Sequence, residues 1–143
     1  MSGFICVDAS VAAKWVLPED GSELALDFYI RQRSSDTTII APPFMPVEVA
    51  NALRRRVVRR LVTQSEAEDM LSAFLRFSVN LAAPLGLHEE ALRLAEQFGR
   101  PTVCDMHYVA LAQIAECELL TADRTLLNAL AGRLSFVKPL LAP

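Results

Sequence analysis

The stretch FICVDASVAA, residues 4–13, decides the fold. Its first four residues are apolar without alternation, the pattern of a strand covered on both faces. Asp8 closes a predicted strand Phe4–Asp8, and a helix is expected from about Ser10 to Leu17, where Pro18 ends it. An apolar strand that turns at once into a helix opens a β-α-β unit. The same alternation continues along the chain. Gly21-Ser22 opens a helix to about Gln32, with Leu24, Leu26, Phe28 and Ile30 partly inward, and Thr38–Ala41 is a strand closed by Pro42-Pro43. Pro46 suits the first turn of a helix carried by Val49, Ala50, Leu53, Val57 and Leu61, and a capping box of Thr63 and Glu66 starts the next. A strand Asn80–Ala83 and a helix Leu87–Phe98 stopped by Gly99 follow, then a helix Cys104–Glu116 with Val109, Ala112 and Ile114 or their neighbours on its apolar face. A strand Glu118–Thr121, a helix Asp123–Ala131 and a short strand Ser135–Val137 complete the reading. Apolar strands alternating with helices predict a three-layer α/β/α sandwich around a short parallel sheet, with residues 1–143 as a single domain.

Four acids stand alone in apolar runs: Asp8 in FICVDASVAA, Glu48 in FMPVEVANAL, Asp105 in TVCDMHYVAL and Asp123 in ELLTADRTLL. Burying an unpaired carboxylate is costly, so such positions need a reason. In open parallel sheets, ligands gather outside the carboxyl ends of the strands. Asp8 ends the first strand and Asp123 follows the strand Glu118–Thr121, so both belong at that rim. Glu48 and Asp105 lie in or near first turns of helices whose N-termini point there. Together the four make a pocket of oxygen ligands, suited to Mg²⁺ or Mn²⁺ rather than zinc or copper. A plainer reading stands beside this one. Asp8, Asp105 and Asp123 each precede or open a helix, where an aspartate caps backbone N–H groups and meets the positive end of the dipole. Glu48 lies too far in to be a cap and has no basic partner three or four residues on.

Hydrophobic residues make up 52% of the 143 and charged residues 22%, an apolar surplus that suits a self-association face. No apolar run approaches a bilayer span, and MSGFICVDAS lacks the basic region and long apolar stretch of a secretion signal. The expected location is the cytoplasm. Cys6, Cys104 and Cys117 are odd in number, lack C-x-x-C spacing, and read as buried reduced thiols. A net charge of -3 argues against coating nucleic acid by charge alone. Yet five of the 12 arginines fall within Leu53–Arg60, a basic stripe compatible with a phosphate-bearing substrate.

In order and spacing, VDASVAAKW, PVEVANALRRR, CDMHYVALAQIAE and LLTADRTL resemble the four motifs of the PIN-domain ribonucleases. The compact size is similar to that of the VapC toxins of bacterial and archaeal toxin–antitoxin pairs. The resemblance runs from Ile5 to about Leu126 and places the family's four acids on Asp8, Glu48, Asp105 and Asp123. It implies a parallel α/β/α sandwich and an endoribonuclease dependent on Mg²⁺ or Mn²⁺, leaving a 5′-phosphate and a 3′-hydroxyl. It also implies Asp8 and Asp105 as direct metal ligands, with Glu48 and Asp123 completing the shell through waters, holding a second ion or orienting the attacking water. A small VapB-like antitoxin, RNA as substrate and a homodimer follow from the same resemblance; no membrane partner does.

Ser10 and Thr121 match hydroxyl residues that accompany the first and fourth acids in that family; a helix cap and a strand end are their ordinary readings. Asn51, one turn beyond Glu48, is either support for the ligands or a helix-surface amide. His107 and His88 lack a second ligand at metal spacing and read as packing and helix-start residues. In the arginine run, Arg55 and Arg59 share a face with Glu48 and are the pair expected on RNA phosphates, solvation being the alternative for the whole set. Trp15 reads as core, and Met70, Leu71, Phe74, Leu75 and Phe77 as a broad apolar face, either buried or open to a partner. Two other functional classes stand beside this one: a non-catalytic PIN-like scaffold for RNA or protein, and a Mg²⁺ phosphotransfer enzyme. The second lacks a Gly-rich phosphate loop and the second aspartate two residues after Asp8.

Overall fold

The computed structural model describes residues 3–130 and 132–141. Strands β1 (Phe4–Val7), β2 (Thr38–Ala41), β3 (Asn80–Leu81), β4 (Leu119–Thr121) and β5 (Val137–Pro139) form one parallel sheet in the order β3-β2-β1-β4-β5. The central strand is the apolar one with which the chain opens, and Val7, Ile39, Ile40, Leu119 and Leu120 bury both faces of the sheet. Right-handed crossovers place the helices between β1 and β3 on one face and those between β3 and β5 on the other. The expected α/β/α sandwich is therefore the observed one. Strand order reverses at β1, so the carboxyl ends of β1 and β4 flank the switch point of the sheet.

The helices are α1 (Ala9–Ala12), continued by a 3-10 turn Ala13–Trp15, then α2 (Ser22–Arg33), α3 (Met45–Val58), α4 (Gln64–Phe74), α5 (Leu87–Gln97), α6 (Cys104–Ile114) and α7 (Arg124–Leu130). The capping box is present: Thr63 Oγ1 accepts from Glu66 N, and Glu66 Oε1 accepts from Thr63 N. Trp15 stacks on Phe77 and meets Tyr29, each at 5.1 Å between ring centres, while its Nε1 donates to Ala25 O at 3.1 Å. Phe74 completes this cluster, which ties the first helical segment to α2 and to the end of α4. The apolar face of α4 is thus mostly core; only Leu75 of the five residues named is exposed.

Several expectations need correction. Ala25 and Phe28 are the buried residues of α2, and Ile30 is 60% exposed, because the helix turns it past the sheet. Helix α3 stops at Val58, short of Leu61. Arg60 takes a left-handed φ of 60°, and Leu61 N bonds Arg56 O while Arg60 N bonds Val57 O, closing a Schellman turn. Helix α6 has no apolar face to speak of: Met106 through Ala112 are all buried, because it packs on α5, β1 and β4, and Ile114 at its end is exposed. β3 ends at Leu81, although Ala82 N still bonds Ala41 O. β5 starts at Val137 rather than Ser135, since Leu119 pairs with Val137 and Thr121 with Pro139. Pro139 is tolerated there because the strand lies at the sheet edge. Cys6 and Cys117 are buried, whereas Cys104 is exposed in the first turn of α6. The end of the helix expected through Ala131 falls outside the described residues.

Candidate active site

Asp8 occupies the cap position of α1, with extended backbone, yet its side chain makes no cap bond. Its Oδ2 instead accepts from Thr121 Oγ1 at 2.7 Å and Ser10 Oγ at 2.9 Å. Each hydroxyl then accepts a backbone N–H from the turn after β4: Ser10 Oγ from Ala122 N and Thr121 Oγ1 from Asp123 N, both at 3.0 Å. The two hydroxyls thereby staple the ends of β1 and β4 together around one carboxylate oxygen. Asp123 does cap its helix, its Oδ1 accepting from Thr125 N at 2.9 Å and Leu126 N at 3.2 Å. The capping reading therefore holds for Asp123 and fails for Asp8.

Glu48 sits in the first turn of α3, where its Oε1 accepts from the Tyr108 hydroxyl at 2.6 Å. Asp105 lies in the first turn of α6, and its Oδ2 takes both Arg100 Nε at 3.0 Å and Nη2 at 2.8 Å. Its other oxygen, Oδ1, is buried with no hydrogen-bond partner.

Burial pushes the Asp8 carboxyl above its ordinary value; the Thr121 and Ser10 hydroxyls pull back, and Asp123 adds to the push. Glu48 is likewise raised by burial, relieved in part by Tyr108, then raised further by Asp8 and Asp105 and lowered by Arg55. The acids thus act on one another through space as a connected group. The Tyr108 hydroxyl is pushed far above its usual range by burial and by Glu48, so it remains a donor.

Asp8, Ser10, Glu48 and Asp123 line a cleft of about 410 Å³, with Lys14, Arg55, Arg56 and Arg59 on its walls. Three larger hollows, about 630, 500 and 420 Å³, lie around Phe4 and Glu118, around Thr38 and Asn80, and around Ala82 and Ile114, none of them lined by the four acids. Asp105 does not line the cleft, although it stands near enough to Glu48 to raise that carboxyl. Among the described residues, no three His, Cys, Asp or Glu side chains stand close enough to hold an ion as they are. The donor chemistry nonetheless fits a hard divalent cation. Every donor is a carboxylate oxygen, two of the acids are raised by burial and by their neighbours, and Asp105 Oδ1 lacks a partner.

The sequence profile of the PIN domain matches residues 5–131. This chain belongs to the PIN-domain family. Its relatives include Ribonuclease VapC3 of Pyrobaculum aerophilum, 34% identical over 124 residues that span 85% of this chain and 91% of that protein. Ribonuclease VapC12 of Mycobacterium tuberculosis is 30% identical over 119 residues, 83% of this chain and 86% of that one. The crystal structure of PAE2754 from Pyrobaculum aerophilum superposes with a TM-score of 0.69 at 26% identity, covering 98% of this chain and 92% of that one. The chain is a VapC-type PIN domain.

Of the residues expected around the acids of this PIN domain, Ser10 and Thr121 contact Asp8 directly, and Arg55 and Arg59 line the cleft. Asn51 is exposed and outside the cleft lining. The sequence does not mark Tyr108, Arg100 or the Glu19 carboxylate as residues of this site. Glu19 lines the cleft and pairs with Lys14 at 3.1 Å and with Arg56. His107 is buried; its Nδ1 faces Val103 O at 2.7 Å and so carries the proton, leaving Nε2 to accept from His88 Nδ1 at 2.9 Å. The pair joins α5 to α6, a packing role that His88 shares.

Proposed function

We propose that this chain is a divalent-metal-dependent endoribonuclease, the toxin of a VapBC-type pair, working as a single PIN domain in the cytoplasm. The observation that carries this reading is the convergence of Asp8, Glu48 and Asp123 on one cleft at the switch point of the sheet, beneath an arginine wall. The names of its relatives, ribonucleases of the VapC type, support it.

Asp8 and Asp105 would hold Mg²⁺ or Mn²⁺, with Glu48 and Asp123 completing the shell or orienting the attacking water. When bound, the ion supplies positive charge for the scissile phosphate and makes water a better nucleophile near neutral pH. Ser10 and Thr121 fix Asp8 through one oxygen, and Tyr108 fixes Glu48, so two acids are held before substrate arrives. Arg55 and Arg59 track RNA phosphates. The expected products carry a 5′-phosphate and a 3′-hydroxyl, and the expected partners are a VapB-like antitoxin and a second copy of the chain.

Purified protein incubated with RNA should cut it when Mg²⁺ or Mn²⁺ is present and stop when EDTA is added, with end analysis identifying the products. One observation favours a different reading, a non-catalytic scaffold: Asp105 is paired with Arg100 and stands outside the cleft. RNA binding without cleavage of any RNA tested, whatever the metal, would select the scaffold. For the arginines, the slope of log affinity against log salt should shrink by about 0.7 for each of Arg55→Ala and Arg59→Ala. An unchanged slope removes them from the RNA path.

A further inference from the structure

We propose that Arg100 is a counter-ion latch on Asp105, so that a divalent cation must compete with the guanidinium for the charge of this carboxylate. The inference rests on the metal-site reading above. Asp105 is the one acid of the four that does not line the cleft. Both Arg100 contacts, at 3.0 and 2.8 Å, fall on the same oxygen, Oδ2, while Oδ1 is buried and unpartnered. A carboxylate satisfied at one oxygen and starved at the other is poised for a second cation, and the Arg100 guanidinium on Oδ2 already offsets the charge that such a cation would meet.

The guanidinium is anchored rather than freely solvated. Gly99 takes the left-handed turn after α5, Arg100 N bonds Ala95 O at 2.8 Å, and Pro101 restricts the Arg100 backbone. Its side chain is only 16% exposed, unlike the open Arg55 and Arg59. An ion entering the cleft therefore competes with Arg100 for Asp105, and the latch sets how much free metal loads the site.

Titration of the full-length protein with Mn²⁺, following free Mn²⁺ by electron paramagnetic resonance, tests this directly. Arg100→Gln should bind Mn²⁺ about tenfold more tightly than the wild type, the equivalent of one charge-assisted pair at a partly exposed position. Its melting temperature should fall without metal and rise further on adding Mn²⁺. Arg100→Lys, which keeps the charge but loses the fork, should lie between the two and also serves if the glutamine variant folds poorly. Arg55→Gln is the control for simple removal of positive charge near the acids, with an expected change of about twofold. If Arg100→Gln binds no more tightly than Arg55→Gln, or binds more weakly, Arg100 orients Asp105 and the latch is wrong. If neither the wild type nor any variant takes up Mn²⁺, the metal site itself is wrong and the latch falls with it.

Discussion

Replacing Asp8 with Asn should lower RNA cleavage on the order of 10³-fold and leave the fold intact. The amide oxygen can still accept from Ser10 and Thr121, so the staple between β1 and β4 survives. What is lost is the buried negative charge at the switch point. That charge opposes folding in the metal-free protein, because burial and Asp123 raise the Asp8 carboxyl above its ordinary value of 3.8. The sign follows from linkage. Between the ordinary value and the raised one, the folded state keeps a proton that the unfolded state has shed, so stability present at low pH is lost as pH rises through that window. Glu48, also raised, contributes in the same direction. The metal-free Asp8→Asn protein should accordingly be more stable than the wild type at neutral pH and less sensitive to pH. Thermal melts across acid to neutral pH in EDTA, together with an RNA cleavage assay, check both halves. Normal cleavage by this variant would remove Asp8 from the site.

Thr121→Val should cost about 2–4 kcal/mol of stability although it hardly changes side-chain volume. Thr121 is fully buried, donates to Asp8 at 2.7 Å and accepts from Asp123 N at 3.0 Å. Valine leaves the carboxylate one donor short and the Asp123 N–H without its acceptor, and each such orphaned group costs about 1–3 kcal/mol. Loss of the donor also pushes Asp8 further up, so the deficit should grow as pH rises to neutral. Ser10→Ala, at a half-buried position, should cost less, about 1 kcal/mol. Urea denaturation of the two variants measures the difference. A Thr121→Val protein as stable as the wild type would mean that this hydroxyl is not the staple the geometry makes it.

The parts of the fold that announce themselves in sequence are those whose signal is local. Phe4–Val7 is an unbroken apolar run whose Cys6 and Val7 are fully buried in the central strand, and Thr63 with Glu66 closes its own capping box within four residues. Where tertiary contact decides, the reading slips. Helix α6 is buried all round, which erases the periodicity that would mark one face, and β5 is a three-residue edge strand whose register is set by β4. The acids show the same division. Asp8 and Asp123 look alike as helix-opening aspartates, yet the hydroxyl that turns Asp8 away from capping comes from Thr121, 113 residues on. Tyr108 reaches Glu48 across 60 residues, and Arg100 meets Asp105 from an irregular loop with no spacing rule to reveal it. Asn51 lies three residues from Glu48, a spacing that puts the two on neighbouring parts of the helix surface, yet it is exposed, so helix spacing alone does not mark it as outside the cleft.

Anomalous diffraction from crystals grown with Mn²⁺ tests the metal site most directly. The expected map has a Mn²⁺ peak bound by Asp8 and Asp105, with Glu48 and Asp123 within reach through water. A map with no peak at that rim of the sheet, or with Mn²⁺ bound elsewhere while Asp8 keeps only its two hydroxyl partners, would contradict a nuclease centre built on these four acids.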